Sequence, residues 1–208
     1  MRISKNIKAK AKQFAFVVDG ECEYWYIQML KRNEKTIHIS LKPELPQKKK
    51  LTEQYDRVIE LSKDYDKVFW ILDLDVILKE TRETSKGMKS ALQELKKYHK
   101  KITLNEKYKD VNIIINNPCL EYWYLLHFEA TSKYFESYGK LLPILKKHKR
   151  LSDYEKTEKY YTKQNHDIYL KLKPYLFNTI ENANKLKVFD FEAPQSGLSQ
   201  MQLMLSEI

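Results

Sequence analysis

Cysteine, glycine and clustered histidine are scarce in this chain, and each scarcity excludes something. Two cysteines, Cys22 and Cys119, in 208 residues cannot build a disulfide framework. The amino end, MRISKNIKAKAKQ, is basic and has no apolar segment before the first β-rich run, so it reads as a lead-in and not as a targeting signal. Together these point to a reducing, cytoplasmic setting. The five histidines (His38, His99, His127, His148 and His166) are scattered, with no HxH, HExxH or Cys-His spacing, which argues against zinc. No Walker A or GxGxxG loop occurs, so nucleotide binding by those routes is excluded and any ATP hydrolysis would need a partner. No apolar run approaches the roughly 20 residues of a membrane span. Four glycines and six prolines leave room for long regular elements and few loops.

What is present supports a core with a charged surface. Apolar residues make up 42% of the chain, charged residues 32%, and the formal net charge is +10. Such a length holds one sizeable α/β domain plus an appendage. Fifteen tyrosines suit amphipathic helices that bury a ring and keep a hydroxyl wet. The basic clusters at 5–12, 48–50, 96–101 and 146–150 are each explained by a solvated face. Together they form a field that attracts polyanions, so nucleic acid is the expected partner.

The pattern along the chain is a repeated β-run followed by a helix. Strands are expected at 13–18, 36–41, 68–72 and 111–115, and helices at 21–32, from 52, at 88–99 and from Pro118 to 128, with 43–50 a polar loop and 79–87 a charged loop or irregular helix start. This alternation predicts an α/β domain over 13–130: a four-stranded parallel sheet flanked by helices. Beyond it, 131–208 reads as a helical C-terminal extension packed on that domain, with helices at 138–148, 152–161 and 166–186 and no strand. An oligomer is left open.

Chemistry gathers at the strand ends. VFWILDLD ends in Asp73 and Asp75, at alternate positions that would share a strand face; facing carboxylates repel unless a cation or proton lies between them. Either could instead be a cap or turn residue. FAFVVDGECEYW ends in Asp19-Gly20, followed by Glu21 and Glu23, which also suit the first turn of a helix through its dipole. Gly20 reads as the residue that permits a tight turn. In VNIIINNPCLEYW, Asn117 is a helix cap, or an amide that binds phosphate or holds a carboxylate, with Pro118 at the first helical position, and Glu121 points either to the acidic edge or into the helix start. Strand ends on one edge of a parallel sheet are where open α/β folds bind ligands. Acids there suggest Mg²⁺ or Mn²⁺. Tyr154, Tyr160 and Tyr161, interleaved with Lys156, Lys159 and Lys163, could stack unpaired bases or pack a helix.

The set VVDGECEYWYIQML, FWILDLD and NNPCLEYWYLLHF resembles the RloB-like family, proteins encoded near restriction and abortive-infection loci that look like a branch of the Toprim superfamily. A weaker likeness is YEKTEKYY, around Tyr154 and Lys156. The resemblance implies a Toprim-like, Rossmann-like sheet and Mg²⁺-dependent phosphoryl-transfer work on nucleic acid. In it, Asp73 and Asp75 hold the metal, Asp19 stands where the family has a glutamate, and Asp19 or Glu23 serves as base or further ligand. Lys156 steadies the phosphate, and Asn117, Glu121 and Tyr154 lie on the phosphate side. The expectation is a nuclease effector of phage defence that works with a neighbouring-gene ATPase. The alternative is a non-catalytic nucleic-acid-binding or regulatory subunit of such a complex.

Overall fold

The computed structural model describes residues 12–34, 40–43 and 50–208. The basic amino end, the first residues expected of the second strand and most of the 43–50 loop lie outside them. Four strands, β1 (Gln13–Val18), β2 (Ser40–Pro43), β3 (Lys67–Asp73) and β4 (Val111–Asn117), pair in parallel in the order β2-β1-β3-β4. This is the expected four-stranded α/β sheet. A fifth, two-residue strand, β5 (Leu198–Ser199), adds antiparallel to β4 at Asn116 and Asn117. It comes from the tail, where no strand was expected. Two residues carry no readable alternation, so only the pairing with β4 defines the strand.

The strands are apolar on both faces, as a doubly covered parallel sheet requires. Phe14, Phe16, Phe69, Ile71 and Ile114 face one layer; Ala15, Val17, Val68, Trp70, Leu72 and Ile115 face the other. The second layer is closed by α2 (Leu51–Leu61), α3 (Leu74–Glu83) and α4 (Ala91–Thr103) through Val58, Leu61, Ile77, Leu78, Leu95, Tyr98 and Ile102. The first layer is closed by α1 (Glu21–Asn33), α5 (Glu121–Leu125) and the tail: α6 (Tyr138–Leu145), α7 (Glu158–Thr162), α8 (Ile168–Leu172), α9 (Leu176–Asn184) and α10 (Met201–Leu205). The helices α7 and α8 pack directly on α1, and buried Asp167 accepts from Arg32 and Asn33 there.

Several boundaries differ from expectation for identifiable reasons. The helix after β3 starts at once, because Leu74, Ile77 and Leu78 repeat at helical spacing and are buried; 79–83 is therefore helix, not loop. Pro118 precedes the next helix and does not open it: the Asn117–Pro118 peptide is cis, and α5 begins at Glu121. Residues 152–156 are not helical. Thr157 caps α7 by accepting from the Tyr160 amide, leaving Tyr154 and Lys156 in the preceding loop. Among the described residues no helix is long and apolar enough to cross a membrane.

Candidate active site

The strand order places the crevice. From β1 the chain passes to β2 on one side and from β2 crosses back to β3 on the other, so the carboxyl ends of β1 and β3 flank a topological switch point. Val18 is level with Ile71, and Asp73 with Asn116. Asp19, Asp73 and Asn116 therefore emerge side by side on one edge.

Asp73 sits at the N-cap position of α3, yet its side chain makes no capping bond. The first amides of α3, from Leu74 and Asp75, donate instead to the Pro118 carbonyl, each at 2.9 Å. The capping explanation for Asp73 thus fails, and its carboxylate stays in the crevice. One oxygen accepts from Asn116 Nδ2 at 3.4 Å, and Asn116 in turn accepts from Ser199 of β5 at 2.7 Å. Burial pushes the Asp73 carboxyl well above its usual pKa, and Glu23, Glu121 and Asp19 add repulsion, opposed by Lys156.

Asp75 does not share a strand face with Asp73, because β3 ends at Asp73 and Asp75 belongs to the first turn of α3. Its oxygens accept from the amides of Val76 at 2.8 Å and Tyr138 at 3.3 Å, so it ties α3 to the start of α6. It still reaches Asp19 electrostatically. The Asp19 carboxyl is raised first by burial and further by Asp75 and Glu80, and eased by a 3.1 Å hydrogen bond from Gln54. Gln54 also accepts from Trp70 Nε1, which locks the amide in place.

Glu23, in the first turn of α1, is buried, whereas Glu21 is exposed. Burial, then Glu121 and Asp19, push Glu23 up to about 7. Gly20 has an extended backbone, so its turn demands no glycine. A Cβ there would lie 2.8 Å from a Glu23 oxygen, and the missing side chain makes room for that carboxylate.

Glu121 is fully buried. Its Oε1 accepts from Tyr154 at 2.5 Å and lies 3.1 Å from the Lys156 ammonium. Its Oε2 is buried without a partner. Behind it, Tyr161 and Tyr124 continue a chain of hydroxyls. Burial, then Glu121, hold the Tyr154 phenol well above its usual pKa, so it remains a donor. Lys156 lies 3.9 Å from the centroid of the Tyr138 ring. Burial disfavours its charge, but Glu121, with Cys119, Cys22 and Asp73, outweighs this and raises its pKa.

The edge therefore gathers Asp19, Glu23, Asp73, Glu121 and Lys156, with Asp75 at the rim. Asn117 does something else. Its Nδ2 donates to the Pro194 and Ser196 carbonyls, both at 2.7 Å, so it clasps the tail and does not offer an amide to phosphate. Tyr154 and Tyr161 are buried and cannot stack on bases. Tyr160 is half-buried against Lys171. Sequence reasoning missed Gln54, Asn116 as the partner of Asp73, and Ser199. It also missed that both cysteines lie beside the acids: burial, then Glu23 and Glu121, push Cys22 up to about 12, and burial, then Glu121 and Asp73, raise Cys119. Both followed a strand end in the sequence, which was the available signal.

Oxygen donors from three strand ends, one of them buried and unpartnered, suit a hard divalent cation. Among the described residues, no three His, Cys, Asp or Glu side chains are spaced to hold one as they stand.

Fold and edge together define an open, Rossmann-like α/β protein with a carboxylate-lysine centre at its switch point. More particularly, residues 14–208 match the family model described as RloB-like protein, and the chain belongs to the RloB-like family. Comparison with curated proteins and with solved structures finds no match.

Proposed function

We propose that this protein is a Mg²⁺- or Mn²⁺-dependent nuclease that cleaves phosphodiesters in DNA or RNA. The observation that carries the reading is the convergence of Asp19, Glu23, Asp73 and Glu121 with Lys156 at the switch point. Four carboxylates against one ammonium would leave excess negative charge, which a divalent cation neutralises. Asp73 and Asp19 would hold the metal, with Asp75 at its rim. When bound, the metal supplies a polarised phosphate and a more acidic water. Glu23, poised at about 7, has the basicity a general base needs near neutral pH. Lys156, held charged, would steady the charge on the phosphate. The net charge of +10 would gather the polyanion from solution.

Family membership supports a wider setting: a Toprim-type effector of phage defence in the cytoplasm, working with a neighbouring-gene ATPase. The test is a nicking and RNA-cleavage assay with Mg²⁺ and Mn²⁺, with and without that ATPase. Wild type should cut and Asp73→Asn should not. Equal cutting by both, or none under any condition, sinks the reading.

A second reading has its own support. Asp19 is one methylene shorter than the glutamate of the family pattern, and Glu121 is already engaged by Lys156 and Tyr154. A regulatory, nucleic-acid-binding subunit would look like this. An inert wild type that gains activity on Asp19→Glu would favour it.

A further inference from the structure

None of the edge acids lines the cleft between the second half of α4 and the segment that returns to β5. This cleft holds about 290 Å³, and Leu104, Val188, Phe189 and Phe191 form its apolar walls. Leu104 is 73% and Val188 84% exposed, so apolar surface is left uncovered at its mouth. Phe191 is held from two sides, its ring meeting His99 at 5.2 Å and Phe189 at 4.8 Å between centroids, both edge-on. Two polar groups complete the walls. Gln200 Oε1 accepts from the Ile115 amide at 2.9 Å, which fixes the side-chain amide, while its Nε2 donates to no described residue. The His99 ring nitrogens bond to none either. Burial lowers the His99 pKa, so near pH 7 the neutral ring offers one donor and one acceptor. The rim is cationic. Lys96 and Lys100 border both this cleft and the outward lysine groove of α4, which Lys89, Lys97 and Lys101 continue. Lys96 pairs with Glu192, whereas Lys100 pairs with no described residue.

We propose that this cleft is a nucleobase subsite: one unpaired base of a single-stranded nucleic acid enters it, while the flanking phosphates lie along the lysines of α4. This rests on the nucleic-acid half of the reading above, not on metal or cleavage, and it names the substrate class as single-stranded. A base has apolar faces and a polar edge, and the cleft has the matching parts. Phe191 and the aliphatic walls take the faces, Gln200 Nε2 and His99 take the edge, and Lys100 takes a phosphate. A base inside a duplex cannot enter, because stacking covers its faces and pairing its edge. An apolar peptide side chain would fill the walls but leave Gln200 and His99 without partners, whereas the edge of a base supplies both donors and acceptors.

The test is fluorescence anisotropy on the full-length protein in EDTA, with a labelled single strand, the same strand as a duplex, and a strand carrying abasic sites. Wild type should bind the single strand more tightly than the abasic one by roughly tenfold, the worth of one stacked base. Phe191→Ala should lower single-strand affinity by about that factor and leave duplex and abasic binding unchanged. Phe191→Tyr, which keeps the ring, should bind like wild type. Phe191 is half-buried, so a second probe combines Leu104→Ala with Val188→Ala, both exposed. It should keep the wild-type melting temperature and lose single-strand affinity several-fold. Equal binding of intact and abasic strands by wild type overturns the subsite, as does wild-type affinity in a folded Phe191→Ala or in the double variant. Competition by AMP as tight as by the strand would make it a free-nucleotide site. Binding of an acidic, phenylalanine-bearing peptide that Phe191→Ala abolishes, with no such effect on the strand, would make it a protein-docking site; either result overturns the proposal. If the subsite falls while wild type still cuts in Mg²⁺, the nuclease reading stands. If the affinities move as stated but nothing is cut, only the nuclease reading falls. No nucleic-acid binding at low salt removes both.

Discussion

Glu23 and Asp73 show how a single residue couples folding to function here. Both acids are harder to ionise folded than unfolded, because burial and neighbouring carboxylates penalise their charge. The folded state therefore holds protons that the unfolded state has lost, and stability falls as pH rises. For Glu23 the effect is absent below its ordinary value of 4.5 and complete above about 7. In EDTA, stability should drop between those limits by on the order of 2–3 kcal/mol from Glu23 alone, which lowers the melting temperature of a chain of this size by several degrees. Glu23→Gln should flatten the slope, and saturating Mg²⁺ should reverse it, since metal binding releases the protons. A pH-independent melting temperature in EDTA would count against a buried acid cluster. Asp73→Asn should abolish cleavage while leaving the melting temperature at pH 8 equal or higher, because a repelling charge is gone; nucleic-acid binding should persist. Gly20→Ala belongs to the same scale. The added methyl meets only the flexible end of Glu23, so stability should change by less than about 1 kcal/mol. Activity should nonetheless fall, because the carboxylate is pushed from its place. A comparable loss of both would show that Gly20 serves the fold instead.

At the scale of one element, α4 carries the clearest nucleic-acid signature. It leads into β4 by a crossover, so it runs back along the sheet and its N-terminal end lies towards the acidic edge. Lys89, just before its cap, and Lys96, Lys97, Lys100 and Lys101 line one outward groove with Gln93. Lys96 pairs with Glu192 and Lys101 lies over Tyr55. For Lys89, Lys97 and Lys100, no ion pair forms with any described residue. Three such lysines along one groove suit a phosphate backbone. Binding of labelled duplex or single strand in EDTA should weaken steeply with salt. Replacing these three lysines by glutamine should lower the slope of log affinity against log salt by roughly 2–3. An unchanged slope would place the nucleic acid elsewhere.

At the scale of the molecule, the tail is part of the sheet's architecture. Gln200 exchanges hydrogen bonds with Ile115, through its side chain and its amide, and Asn117 clasps the Pro194 and Ser196 carbonyls. Met201 and Met204 are fully buried. Asn117→Ala breaks two part-buried hydrogen bonds and should cost about 2–3 kcal/mol in urea unfolding. Through β5, Ser199 and Asn116, it should also disturb Asp73, lowering metal affinity along with stability. Loss of stability with metal affinity intact would show that the clasp does not reach the site.

The sequence by itself determined the four βα units, the parallel sheet and the gathering of Asp19 and Asp73 on one edge. Apolar runs, their spacing and the rule that parallel strands end together were enough for that. Glu121 and Lys156 were legible as residues, but not as a pair. They lie 35 positions apart, and only the packing of the 152–156 loop over α5 joins them. Asn117 and Tyr154 were placed in the right region with the wrong work, because an amide or a phenol looks the same in sequence whether it meets solvent or a buried partner. Strand β5 left no trace in the sequence, since two residues have no periodicity. Local pattern decides what a segment becomes. Which polar groups find each other is decided by long-range packing, and the chemistry of this edge depends on those meetings.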